Sequence, residues 1–182
     1  MYRTWKSILA AVLPVLISAV TLSGCDSRAV TPLSGPSFNT EGTGNLKRVK
    51  KSIPVFTKSA TIDSKGGEIE YSGYKLTVPA GAVDVPTVFV MTSRNSGYLE
   101  LELTATAVGS SLINNIGATG FKVPLSLRLH YDESSASTSA LLMVWVRPDG
   151  VLEPVPTEVH KSGKMITGQI THFSLYGVGE LL

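Results

Sequence analysis

The sequence has one cysteine and few charged or aromatic residues. A single thiol excludes an internal disulfide. Charged residues make up 16% of the chain, and no long stretch has apolar residues at helical spacing. Of the 16 basic residues, Arg3 and Lys6 precede Cys25, which leaves 14 basic and 14 acidic residues from Cys25 onward. This balance argues against a nucleic-acid partner. The low charge and abundant Ser, Thr, Gly and Pro are typical of an exported β protein.

Residues 1–24 have the features of a secretion signal. Arg3 and Lys6 form a short basic start, and the mostly apolar run 8–20 follows it. That run is shorter than the roughly 20 residues that span a bilayer as a helix. Pro14, inside the run, further disfavours a stable helix. A basic start, a short apolar run and small residues at its end together predict a secretory signal.

The signal ends in Leu22-Ser23-Gly24-Cys25, which resembles the lipobox of bacterial lipoproteins. The resemblance implies cleavage between Gly24 and Cys25, with acyl chains such as palmitate on Cys25. Two or three acyl chains anchor a protein firmly. We therefore expect a lipid-anchored envelope protein outside the cytoplasm, in the inner or the outer membrane. An ordinary signal peptide with a chance cysteine and an N-terminal helical anchor are the alternatives.

Residues 25–52 are expected to form a flexible linker behind the anchor. Pro, Gly, Ser, Thr and Asn dominate it, and it has no apolar periodicity. Such a segment buries too little apolar surface to offset the entropy of ordering it. Lys47, Arg48, Lys50 and Lys51 form a basic cluster near its end. They would contact anionic headgroups or acidic wall polymer, or simply lie in solvent at the end of the linker, which we favour.

Residues 53–182 predict an all-β domain, an antiparallel β-sandwich of about 8–9 strands. The stretches 98–107 and 123–131 alternate apolar and polar residues, which is typical of half-buried strands. Turn signals such as 65–67, 95–97 and 148–150 separate further strand candidates. The nine strand candidates are 68–71, 74–78, 87–93, 98–107, 123–131, 141–147, 152–158, 165–170 and 173–178.

The start of this domain carries a family resemblance. The segment 66–82 reads Gly-Gly-Glu-Ile-Glu-Tyr-Ser-Gly-Tyr-Lys-Leu-Thr-Val-Pro-Ala-Gly-Ala. It resembles the opening of the β-sandwich domain shared by zonula occludens proteins, netrin receptors and ankyrins. In that pattern Pro79 ends a strand, Gly81 permits a tight turn, and Ala82 packs where a larger side chain does not fit. The resemblance implies a scaffold or binding module, and a fold alone does not assign a function.

Most residues that could carry chemistry have no supporting pattern. His130, His160 and His172 lack metal-ligand spacing, so we expect no metal site. No phosphate-binding loop or hydrolase motif occurs, and no cofactor is expected. The acidic residues of the predicted turns read as solvated loop residues; they are Asp84, Asp132, Glu133 and Asp149.

His172-Phe173-Ser174 is the one exception. It resembles the autoproteolysis site of a self-cleaving nucleoporin and of a death-domain protein, where cleavage falls between Phe and Ser. By this resemblance His172 would be the general base and Ser174 the nucleophile, on one face of a strand. The alternative, which we favour, is an ordinary closing strand.

The sequence therefore predicts a non-enzymatic, lipid-anchored binding or scaffold module. Its partner would be a protein or a cell-wall polymer, and an apolar or aromatic patch around Trp145 or Tyr98 would mark the binding surface. A self-cleaving sandwich module is the second hypothesis.

Overall fold

The computed structural model describes residues 46–51, 53–110, 116, 120–131 and 141–182. The predicted signal, Gly24, Cys25 and most of the predicted linker lie outside these residues, as do Asp132 and Glu133. Within the described part, no helix is both long and apolar enough to span a membrane. The twelve strands are β1 (Leu46–Arg48), β2 (Thr57–Ile62), β3 (Gly67–Tyr71), β4 (Tyr74–Val78), β5 (Thr87–Ser93), β6 (Glu100–Ala107), β7 (Leu125–His130), β8 (Leu141–Val146), β9 (Leu152–Pro154), β10 (Thr157–His160), β11 (Met165–Ile170) and β12 (Leu175–Leu181).

Two antiparallel sheets pack face to face, which confirms the predicted all-β sandwich. The seven-stranded sheet has the order β2-β5-β6-β12-β8-β9, and β1 pairs with the C-terminal half of β12. The five-stranded sheet has the order β10-β11-β7-β4-β3. The chain therefore passes between the sheets several times, including once between β9 and β10 and once between β11 and β12.

The core forms from the inward-facing residues of both sheets. In β6, Leu101, Leu103 and Ala105 are almost fully buried, and the residues between them are mostly half-exposed. In β7, Leu125, Leu127 and Leu129 show the same alternation from the opposite sheet. Period-two patterns place alternate side chains on one sheet face, which is why these two strands were recognisable from sequence.

Strand β8 departs from alternation because both of its faces are covered. Leu141 and Met143 belong to the main core. Leu142, Val144 and Val146 form a second apolar cluster on the opposite face, with Leu46, Leu152 and Leu175 packed against it. A continuous apolar run is the expected signature of such a doubly buried strand.

The folded part begins earlier than predicted. Leu46–Arg48 pairs with Gly179–Leu181, and Lys50 forms an isolated bridge with Tyr98. The segment predicted as linker up to residue 52 therefore includes a strand of the seven-stranded sheet, Leu46–Arg48, and the backbone-bonded residues Val49 and Lys50 that follow it. The segment is polar and short, so its sequence carries no strand signal; pairing with β12 is what orders it.

Two predicted strands differ from the observed ones. The predicted strand 152–158 is split into β9 and β10, which belong to different sheets. Pro154 and Pro156 lack the N–H that a continuous ladder needs, and between them the Val155 N–H donates to the Met143 carbonyl at 3.0 Å. The predicted strand from Phe173 begins only at Leu175, because residues 171–174 form the crossover between the sheets.

The segment 66–82 forms the β3–β4 hairpin and the turn after it. Pro79 directly follows β4, and Ala82 is buried, as the sequence predicted. Gly66 has a φ of +81°, and a Cβ atom there would lie 2.5 Å from the Val78 carbonyl oxygen. Glycine is therefore needed at this position both for its conformation and for its lack of a side chain.

Candidate functional site

A cleft of about 290 Å³ lies at one end of the sandwich, between the two crossovers. One wall is residues 153–156, at the end of β9 and in the β9–β10 crossover, and another is residues 169–172, at the end of β11 and in the β11–β12 crossover. Trp145 and Tyr176, which are paired neighbours on β8 and β12, complete the lining together with Pro124. Apolar and aromatic side chains with a few polar groups among them are the usual composition of a small-molecule site.

Trp145 is held in place by the β11–β12 crossover. Its indole Nε1–H donates to the Ser174 Oγ at 2.7 Å. Its ring packs edge to face against the His172 imidazole, with ring centroids 4.4 Å apart. Both interactions are geometrically specific for an indole, so the ring has one defined orientation in the cleft.

Tyr176, on β12, fixes the backbone of the same crossover at His172. Its hydroxyl donates to the His172 carbonyl oxygen at 2.8 Å and lies 3.1 Å from the His172 Nδ1. Burial raises the pKa of the Tyr176 phenol far above its usual range, and the negative charge of Glu153 adds to the effect. The phenol therefore stays protonated and remains a hydrogen-bond donor.

Phe173 points the other way, into the core. Its ring makes edge-to-face contacts with Phe89 and Phe121, at centroid distances of 5.4 and 4.7 Å. The backbone on either side is also bonded, because Phe121 N–H donates to the Thr171 carbonyl and Leu103 N–H donates to the Ser174 carbonyl at 3.0 Å. The crossover is thus anchored in the core at Phe173 and faces the cleft at His172.

His172 and Ser174 both contact the Trp145 side chain, but they lie before β12 and not on one strand as their spacing predicted. Within the described part of the chain, no hydrogen bond joins the His172 imidazole to the Ser174 hydroxyl. The hydroxyl is hydrogen-bonded to Trp145, and the imidazole is hydrogen-bonded to Tyr176. The described non-glycine residues with positive φ are Ser72 and Lys164, and neither belongs to this crossover. The geometry favours a fixed wall for the cleft over an activated nucleophile.

None of the other described candidate residues lines the cleft. His130 and His160 are on β7 and β10, on either side of Met165 in the strand between them. The described residues contain no cluster of three or more His, Cys, Asp or Glu side chains that could bind a metal ion. Asp84 pairs with Lys122 at 2.7 Å, and Asp149 lies 3.4 Å from Arg147. These are exposed ion pairs of the kind that contribute little.

The basic cluster is part of the sandwich and not of a solvated linker end. Arg48 Nη1 lies 2.9 Å from Glu100 Oε1, and the guanidinium stacks over the Tyr98 ring at 4.2 Å. Lys47 pairs with Glu180 at 3.2 Å, and Lys51 Nζ donates to the His130 carbonyl at 3.2 Å. Tyr98 is therefore covered by Arg48, whereas Trp145, the other predicted aromatic position, lines the cleft.

Some residues of the cleft, and the Glu100 partner of Arg48, were not predicted from the sequence as parts of a site. Glu153 at the end of β9, Gln169 at the end of β11 and Thr171 just after it line the cleft. Glu100 is 2% exposed and pairs across the strands with Gly177. A Cβ atom at position 177 would lie 3.0 Å from the Glu100 Cγ, so the glycine is the one sequence feature that relates to the buried position of Glu100. A glycine inside a strand often marks such a close approach.

No protein-family model and no curated protein matches this sequence.

Proposed function

We propose that this chain is a lipid-anchored protein of the bacterial cell envelope whose β-sandwich is a non-enzymatic binding module. The anchor rests on Leu22-Ser23-Gly24-Cys25 directly after an apolar run. The binding role rests on the cleft around Trp145, which is the observation that carries the proposal. Its walls are tied to the core on both sides, so a ligand would meet a preformed site at low ordering cost.

The anchor is tested by membrane fractionation of two variants. Cys25→Ser removes the thiol that would carry the lipid, so we expect the protein to leave the membrane fraction. Ser23→Ala is the matched control, because alanine is also small and should leave processing intact. An unchanged membrane fraction for Cys25→Ser would overturn the proposed anchor.

Self-cleavage between Phe173 and Ser174 is the second candidate. The observation in its favour is that His172 and Ser174 both contact Trp145. Against it, the Ser174 Oγ accepts the indole N–H, and the imidazole is bonded to Tyr176. Attack on the Phe173 carbonyl would require both contacts to rearrange.

A denaturing gel separates the two candidates. A binding module gives one chain, and Ser174→Ala leaves the band pattern unchanged. It also leaves the Trp145 N–H without its acceptor, which we expect to cost about 1 kcal/mol of stability. A wild-type band that runs shorter than the Ser174→Ala band, by the mass of the peptide Ser174–Leu182, would establish self-cleavage.

A further inference from the structure

The cleft walls combine rigid apolar surfaces with polar groups at the rim. Pro124, Pro154 and Pro156 contribute fixed rings. The half-buried Trp145 indole contributes the part of its ring that His172 and Arg147 leave open, with the Arg147 guanidinium 5.8 Å from the ring centroid. A site built from these residues changes little on binding, since proline rings and a doubly held indole have few conformations to lose. Its volume of about 290 Å³ is at the lower end of the roughly 300–1,000 Å³ of small-molecule sites.

Gln169 and Thr171, both exposed, supply hydrogen-bonding capacity at the rim. Within the described residues neither side chain makes a hydrogen bond, although the Gln169 backbone N–H donates to the Pro156 carbonyl at 3.1 Å. Glu153 adds a carboxylate that lies 3.9 Å from Arg147 Nη1. An amide, a hydroxyl and a carboxylate offer both donors and acceptors to a ligand.

The same contacts disfavour the other ligands that aromatic clefts bind. Proline-rich peptides dock in aromatic-lined grooves, where free aromatic N–H and O–H groups can donate to the peptide carbonyls. Here the Trp145 Nε1–H is used by Ser174 and the Tyr176 hydroxyl by His172. A strongly anionic ligand is also disfavoured, because Arg147 is shared between Asp149 at 3.4 Å and Glu153 at 3.9 Å and so offers no free positive charge.

We propose that this cleft binds an uncharged oligosaccharide, with a sugar ring against Trp145 and the prolines and its hydroxyls bonded to Gln169, Thr171 and Glu153. A sugar ring has apolar C–H faces and a rim of hydroxyls, and this matches an apolar cleft with a rim of donors and acceptors. The inference rests on the proposed binding function and names its ligand class.

Tryptophan fluorescence is a direct probe of this site. The chain has two tryptophans, Trp5 and Trp145, and Trp5 lies in the predicted signal. In the protein that starts at Cys25, all tryptophan emission would therefore come from the cleft. If the signal is retained, the Trp5→Phe variant leaves Trp145 as the one tryptophan, so its emission again comes from the cleft alone.

The experiment is a titration of the full chain, extracted in a detergent without a sugar headgroup, with chitotetraose and with maltotetraose. We expect a saturable change in Trp145 emission with at least one of them, with a Kd of about 1 mM or tighter. Gln169→Ala and Thr171→Ala should each weaken binding about 3- to 10-fold, since each removes one hydrogen bond. Thr167→Ala is the matched control, because Thr167 is on the same strand outside the cleft and should leave the Kd unchanged.

Two results would overturn the sugar assignment. One is the absence of saturable binding of both sugars at about 10 mM. The other is binding that is equally tight in Gln169→Ala, Thr171→Ala and the control. A proline-rich peptide that changes Trp145 emission where the sugars do not would likewise replace this ligand class by another. A correctly lipidated protein that binds no sugar refutes this inference alone, and an unlipidated protein that binds sugar refutes the anchor alone.

Discussion

Replacing Arg48 by alanine should destabilise the sandwich by about 2 kcal/mol. The Glu100 side chain is only 3% exposed and pairs with Arg48 at 2.9 Å. Breaking a fully buried ion pair costs about 3 to 5 kcal/mol, because the remaining charge is left without its partner. The Arg48 side chain is 37% exposed, which lowers this figure through solvent screening. Ser96 Oγ also still donates to Glu100 Oε2 at 3.1 Å.

The assay is reversible thermal or urea unfolding of the fragment Gly35–Leu182, which forms one compact unit. A loss of about 2 kcal/mol corresponds to a fall in Tm of about 6 °C for a domain of this size. Adding Glu100→Gln in the Arg48→Ala background should recover at least about 1 kcal/mol, since it removes the unpaired charge. Lys50→Ala is the control, because the Lys50 side chain is exposed.

A refutation would be equal stability of Arg48→Ala and Lys50→Ala, or no recovery on adding Glu100→Gln. Either result would mean that residues 46–51 do not contribute to the sandwich as described, and the predicted linker would then extend to residue 52 after all.

Two further predictions follow from the hairpin and the crossover. Gly66→Ala should cost at least about 1 kcal/mol in unfolding experiments, because its Cβ would lie 2.5 Å from the Val78 oxygen, whereas Gly81→Ala, with a similar φ but open space, should cost less. Equal losses would contradict the role of the close approach. Tyr176→Phe should cost about 1 kcal/mol near pH 7 through the lost bond to the His172 carbonyl. Because the folded-state pKa of Tyr176 is raised, the protein should lose stability as the pH rises above about 10, and this alkaline loss should be smaller in Tyr176→Phe.

The strands that sequence predicted best are those with one buried face. In β6 and β7 the alternation of apolar and polar residues within one stretch is enough to predict the strand, because this period of two follows directly from the pleat. Strand β2 carries little of it: in Thr57–Ile62 only Ile62 is buried. Strand β2 is held by pairing with β5, which is distant in sequence, so the residues of β2 alone do not predict the pairing.

The cleft was only partly predictable for the same reason. His172, Ser174 and Trp145 stood out by type, but Trp145 meets Ser174 across 29 positions of sequence. The two crossovers come together at one end of the sandwich because Pro154 and Pro156 break a strand and β12 starts late. Those boundaries decide which side chains line the cleft, and boundaries are the least predictable part of a strand.

The most direct test of the proposed function is the intact mass of the protein extracted from membranes and denatured. We predict a single species that begins at Cys25, ends at Leu182 and carries the added mass of acyl chains. A chain without acyl mass on Cys25 would contradict the anchor, and a lipidated fragment ending at Phe173 beside a Ser174–Leu182 peptide would contradict the non-enzymatic role.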